Sequence, residues 1–257
     1  MNAPYLKKDI SLKMNNKGFT LVELIVSMAV GLVVMGAIYA ATEMGQRSSV
    51  AVERKIVAQQ DARAALDIMA LEIGMASFNP NFATGIWVYG PNTGTCGSTS
   101  GYQAYKGIQE ATAHSITVEM DIHGDTLLSC SSPHGPPDGD IAVDCHDPNE
   151  IIRYHYDAVN KYITRETNCG GGQAFLGDQT GNPRDVQVVN PVSVPLFTYY
   201  DGQDVQIPYA NLPASIPDIR RIRITLFVDT EAIDRSLNRR RRTISSTSII
   251  PRNHALN

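Results

Sequence analysis

Between Phe19 and Ala41 the chain runs for 23 residues with one ionisable group apart from the Tyr39 hydroxyl, and that group is Glu23. As a helix this run is about 34 Å long, the thickness of a bilayer's hydrocarbon core. A carboxylate placed there costs roughly 2.5–3.5 kcal/mol on insertion scales, so it needs a partner. Anything this chain folds into must accommodate an apolar helix that cannot be solvated and an acid that cannot stay alone.

The flank before the run carries Lys7, Lys8, Lys13 and Lys17 against Asp9. A basic flank stays on the cytoplasmic side and sends the remainder across. A secretory signal peptide would have a shorter apolar stretch followed by a small-residue cleavage site. Here the small residue, Gly18, comes first. Cutting after Gly18 would remove the basic leader, keep the helix and create an amine on Phe19. Glu23 stands four positions further on, and positions four apart share a helix face. The new ammonium and the carboxylate could neutralise each other in one chain. In a stack of helices, Glu23 could instead face a neighbour's amine, so that only a docked neighbour satisfies the buried charge.

The stretch "KGFTLVELIV" resembles the prepilin signature of type IV pilins and type II secretion pseudopilins. The resemblance implies cleavage between Gly18 and Phe19 by a prepilin peptidase, N-methylation of Phe19, and an assembly salt bridge made by Glu23. The leader is longer than the family's usual one, and Met14 would start a shorter leader, "MNNKG". The region "MGAIYAAT" lacks the proline that major pilins tend to carry, which points to a minor pilin or a pseudopilin. The segments "QQDARAALDIMALEIGMASFNP", "YHYDAVNKYITRE", "FTYYDG", "IRRIRITLFVD" and "STSIIPRN" resemble PilW-like minor pilins. The J-type pseudopilin shares much of this layout. Residues 83–113 and 123–150 fall outside the resemblance.

No proline occurs from Phe19 until Pro80, so the helix is expected to continue to about Phe78, roughly 90 Å in all. Val52, Ile56, Ala62, Leu66, Met69, Ile73 and Ala76 recur at steps of three and four, with one gap at Gln59 or Gln60. That is an amphipathic stripe, with Glu53, Arg54, Lys55, Asp61, Arg63, Asp67 and Glu72 on other faces. Gly31, Gly36 and Gly45 are expected to be weak points. Beyond Pro80 the pattern changes to short alternating runs at 114–122, 151–166 with a turn at Ala158–Asn160, 194–202, 220–230 and 239–250. In 220–230, Ile222, Ile224, Leu226 and Val228 share one face, and 239–250 returns beside it as a hairpin. The expected fold class is α+β: a long N-terminal helix, transmembrane in its first half and amphipathic in its second, packed on a mostly antiparallel β-sheet head. The expected organisation is leader 1–18, transmembrane and assembly helix 19–41, helix continuation 42–78 and extracytoplasmic β-rich head 79–257.

Cys96, Cys130, Cys145 and Cys169 all follow the apolar run, an even count that suits two disulfides in an oxidising compartment. Three pairings are open. Cys130–Cys145, which would close a loop of about 15 residues worth roughly 3 kcal/mol, with Cys96–Cys169 as the remainder, is the expected one. Zinc on Cys130, His134, Cys145 and His146 lacks the usual paired spacing. No cofactor is expected. The alternative is calcium on Asp138, Asp140, Asp144, Asp147 and Glu150, a set of hard oxygen ligands without EF-hand spacing, set against a solvated acidic loop. No phosphate loop and no nucleophile elbow is present, so an enzyme is not expected. Nucleic acid is not expected either. The net charge is -4, and the run Arg239–Arg242 alternates faces on a strand and is expected to be solvated.

The expected function is that of a minor type IV pilin in the assembly, priming or tip complex of a pilus. The alternatives are a J-type secretion pseudopilin and a tip adhesin head. Expected partners are the prepilin peptidase, other minor and major pilins, the inner-membrane assembly platform and, before assembly, membrane lipid. The expected location is a single pass through the bacterial inner membrane with a periplasmic head, then the cell-surface pilus.

Overall fold

The structure is a computed structural model and describes residues 18–87, 105–124, 149–168, 171–177, 186–230, 233–234 and 238–255. A single helix, α1, runs unbroken from Leu21–Gly74. Gly31, Gly36 and Gly45 neither unwind nor interrupt it: each costs only about 1 kcal/mol against alanine, and no proline intervenes. The chain divides between Val50 and Ala51 into two units.

In the first unit every residue from 18 to 42 is exposed. Among the described residues α1 is the one helix long and apolar enough to cross a membrane. In the second unit the buried stripe of α1 is Ala58, Ala62, Ala65, Leu66, Met69 and Ile73, continued by Ala76. The expected stripe is therefore right from Ala62 onward and out of phase before it. Val52 and Ile56 are exposed, and Ala58 fills the gap assigned to Gln59 or Gln60. Alanine carries little hydropathy signal, yet it lets a helix backbone approach a sheet closely. The helix ends four residues earlier than expected. Ser77 takes a left-handed backbone, φ 66°, and its N–H donates to Glu119 O at 2.8 Å, which turns the chain well before Pro80.

Two antiparallel sheets receive this stripe. The first is a meander of β1 (Ile108–Ala111), β2 (Ser115–Glu119), β3 (Ile151–Asp157), β4 (Tyr162–Thr167) and β5 (Gln173–Gly177). Asp157 makes the expected turn: its Oδ1 accepts from the N–H groups of Val159 and Asn160, both at 2.9 Å. The second sheet centres on β8 (Arg221–Thr230). β7 (Phe197–Tyr200) and β6 (Val186–Val188) pair along one edge of β8, and β9 (Arg242–Ile249) along the other as the expected hairpin. A short helical stretch also appears, with α2 (Leu212–Ser215) between two single turns of tighter helix. At four residues α2 is too short to show a helical period, and Pro213 stands in its first turn, where proline is well tolerated.

Ile222, Ile224, Leu226 and Val228 of β8, Ile116 and Val118 of β2, and Ile152 and Tyr154 of β3 all lie in one core with the α1 stripe. Each such side chain, fully buried, is worth about 1.5–3 kcal/mol. The result is a long apolar helix packed on antiparallel sheets.

Candidate functional site

The candidate site is the start of α1. Gly18, Phe19 and Thr20 lie outside the helix. The Glu23 N–H donates to Thr20 Oγ1 at 3.2 Å, and the Leu24 N–H donates to Thr20 O at 3.2 Å. That pairing makes Thr20 the N-cap. Glu23 lies in the first turn, three residues on, the spacing of a capping box. Phe19 is thus one residue ahead of the cap rather than on the helix face assumed for a Phe19–Glu23 pair. Gly18 has no left-handed φ, and nothing comes within 4 Å of where a Cβ would stand. The fold itself makes no demand for glycine there.

Of the other expected site residues, Cys96, Cys130, Cys145, Cys169, Asp138, Asp140, Asp144 and Asp147 lie outside the described residues, as do His134 and His146. Glu150 is described and buried. Its Oε1 accepts from the N–H groups of Ile122 at 2.9 Å and His123 at 3.3 Å, and faces His123 Nδ1 at 3.5 Å. The carboxylate closes the chain segment that follows β2. Among the described residues no three His, Cys, Asp or Glu side chains converge where an ion could sit.

The run Arg239–Arg242 is not simply solvated. Arg240 donates to Gln187, Arg241 pairs with Asp234 at 2.6 Å, and Arg242 grips both oxygens of Asp229 at 2.8 and 2.9 Å. Those two acids sit across the β8–β9 hairpin, so the arginines brace its closed end. The pairing with Asp229 raises the Arg242 pKa.

Three charged constellations were not foreseen. Glu72 was expected on a solvent face. Instead its carboxylate takes two prongs from Arg165 of β4, Nε at 3.0 Å and Nη2 at 2.6 Å, and a hydrogen bond from the Tyr154 hydroxyl of β3. Burial and the neighbouring Glu72 push the Tyr154 hydroxyl far above its usual range. On the opposite face of the same sheet, Glu110 accepts from Arg153 Nε at 2.9 Å, Thr117 Oγ1 at 3.0 Å and the Ser115 hydroxyl. Burial pushes its pKa up, but these donors together hold it below the ordinary carboxylate range. Near the end of the chain, His254 is buried against Ser77 Oγ at 3.0 Å, Lys106 O at 2.6 Å and Ile216 O at 2.9 Å. The three constellations fasten α1, the sheets and the last turn of chain together.

A family model described as the prokaryotic N-terminal methylation motif matches residues 13–39. That span holds Lys17, Gly18, Phe19, Thr20 and Glu23 and ends inside the exposed apolar half of α1. It supports a type IV pilin-like or pseudopilin-like precursor. No curated protein and no solved structure matches the chain.

Proposed function

We propose that this chain is a minor type IV pilin, made as a membrane-anchored precursor and built into the assembly or tip complex of a pilus. The observation that carries the reading is the methylation motif over 13–39, set at the head of one uninterrupted helix whose later turns are buried under β-sheets.

In this reading residues 1–18 are the leader, 19–41 the membrane and filament segment, 42–78 the continuation into the head and 79–257 the head itself. The prepilin peptidase cuts between Gly18 and Phe19 and methylates the new Phe19 amine. The first unit then lies in the inner membrane with the head in the periplasm. In the filament, Glu23 meets the amine of a neighbouring pilin's first residue, which neutralises a charge that lipid and filament core would both penalise. The assembly platform and the other minor and major pilins are the partners. The absence of proline between Phe19 and Ala41 favours a minor over a major subunit.

Mass spectrometry of sheared pili tests this. The expected peptide begins at N-methylated Phe19, and Gly18→Glu should leave the precursor at full length and out of the pili. A chain that matures but is found only in membranes, where its deletion blocks secretion, would point to the pseudopilin. Normal maturation of Gly18→Glu would remove the prepilin reading itself.

A further inference from the structure

Hydrolysis adds water across the Gly18–Phe19 amide, so that Gly18 leaves with a carboxylate and Phe19 keeps the amine. The reacting carbonyl must be open to attack and the chain around it extended. A helix denies both, because each carbonyl is engaged by the N–H four residues on. No proline lies between Pro4 and Phe19 to forbid backward growth of α1, and Gly18, Asn16 and Asn15 only weaken it, by about 1 kcal/mol or less each. Growing back by one residue would require the Glu23 N–H to bond Phe19 O, and only a second step would tie up the attacked Gly18 carbonyl, through the Val22 N–H. The Glu23 N–H is instead given to Thr20 Oγ1 at 3.2 Å, while Thr20 O takes the Leu24 N–H. The Thr20 hydroxyl therefore competes with the Phe19 carbonyl for a single donor and wins. Phe19 and Gly18 are left outside the helix, both exposed, and nothing among the described residues lies within 4 Å of where a Gly18 Cβ would stand.

We propose that Thr20 is a positioning residue for leader removal: its side chain caps α1 and so blocks the first step of the backward growth that would carry the Gly18–Phe19 bond into the helix and away from the peptidase. The proposal rests on the prepilin reading given above and adds a residue to it. It also gives the third residue of the helix, Glu23, a backbone duty distinct from its side-chain charge, since its N–H is the donor that the cap captures.

The test uses the full-length precursor in proteoliposomes with a prepilin peptidase, comparing wild type with Thr20→Val, Thr20→Ala, Thr20→Ser and Thr20→Asn. Valine matches threonine in shape and in helix propensity but accepts no hydrogen bond. Serine and asparagine cap as well as threonine or better, and asparagine does so with a different shape. The expected result is near wild-type kcat/KM for Ser and Asn, and a loss of about five-fold for Val and Ala, the population shift that a lost cap produces. The carbon-13 shift of Phe19 Cα, read on uncleaved precursor, should move toward the helical value in Val and Ala alone. Cleavage of Thr20→Val at the wild-type rate, or an unmoved Phe19 shift in that variant, overturns the proposal. So does Asn failing as badly as Val, because the peptidase would then be reading the threonine itself. A wild-type precursor that the peptidase does not cut at all overturns the prepilin reading and this inference with it.

Discussion

Replacing Glu72 should loosen α1 from the first sheet. The carboxylate is 12% exposed and Arg165 is 23% exposed, so the pair is largely but not wholly withdrawn from water. Breaking a fully buried pair by removing one partner costs about 3–5 kcal/mol. Arg165 keeps Asn149 Oδ1 at 2.8 Å and some water, which lowers that figure to about 2 kcal/mol. The Tyr154 hydroxyl, on a fully buried residue, loses its acceptor at a further cost of about 1 kcal/mol. Glu72→Ala should therefore destabilise by about 3 kcal/mol, and Glu72→Gln, which keeps an acceptor, by about half as much.

Trp87 is the one tryptophan and is partly buried against Ile86 and Ile151 at the edge of β3, which makes its fluorescence a local reporter of the head. Urea unfolding of the full chain in detergent gives the difference. A double-mutant cycle with Arg165→Met isolates the pair, and a coupling of about 1–2 kcal/mol is expected. A Glu72→Ala cost under about 0.5 kcal/mol, or no coupling, would show that water already screens this contact and that the helix is held by apolar packing alone.

Gly107→Ala should destabilise by about 3 kcal/mol or prevent folding, since φ is 69° there and a Cβ would overlap both the backbone and the side chain of Ser77; an unchanged Tm would refute it. Acid should weaken the head through two of its histidines. Burial lowers the pKa of both His254 and His155, so the unfolded chain binds protons that the folded one resists, and stability present at neutral pH is lost as pH falls below about 6.5. For His254 the nearby Arg220 and Lys106 act in the same sense as burial, while the Ile216 and Lys106 carbonyls oppose it. His254→Gln should flatten the fall between about pH 7 and pH 5, and a slope as steep as wild type's would exclude this histidine. Loss of the Glu110 interactions belongs to a lower window, as pH falls through the depressed pKa of that carboxylate. Glu23→Gln should insert and be cleaved, because an amide is cheaper in lipid than an anion, but should be depleted from sheared pili by a lost pairing of about 3–5 kcal/mol. Wild-type incorporation would sink the pairing while leaving the precursor assignment standing.

What the sequence disclosed followed from where each signal is stored. Strand β8 was legible because one face carries Ile222, Ile224, Leu226 and Val228 and all four are fully buried. Strand β2 was placed correctly, but both of its faces are buried, with Ser115 and Thr117 bonded to Glu110. Alternation suggests a wet side there, and no local pattern reveals the acid that satisfies it. Strands β1, β5 and β6 have three to five residues each, too few for a period to show. Glu72 was read as a surface charge because its partner lies 93 residues away, and only the fold brings the two together.

The N-terminal motif is the opposite case. Gly18 touches nothing, Phe19 is exposed, and no packing within the chain fixes either residue. Core positions are degenerate in sequence because any side chain of suitable size and polarity serves. In the proposed function this N-terminal stretch is a processing signal, read by another protein residue by residue, before or regardless of how the head folds. Its identity therefore survives in the linear sequence, and for the same reason the structure of this chain gives no internal reason for it. Thr20 lies at the boundary between the two. Its hydroxyl is used by the fold, to cap α1, and in the proposed reading the consequence of that use falls on the bond that the peptidase must reach.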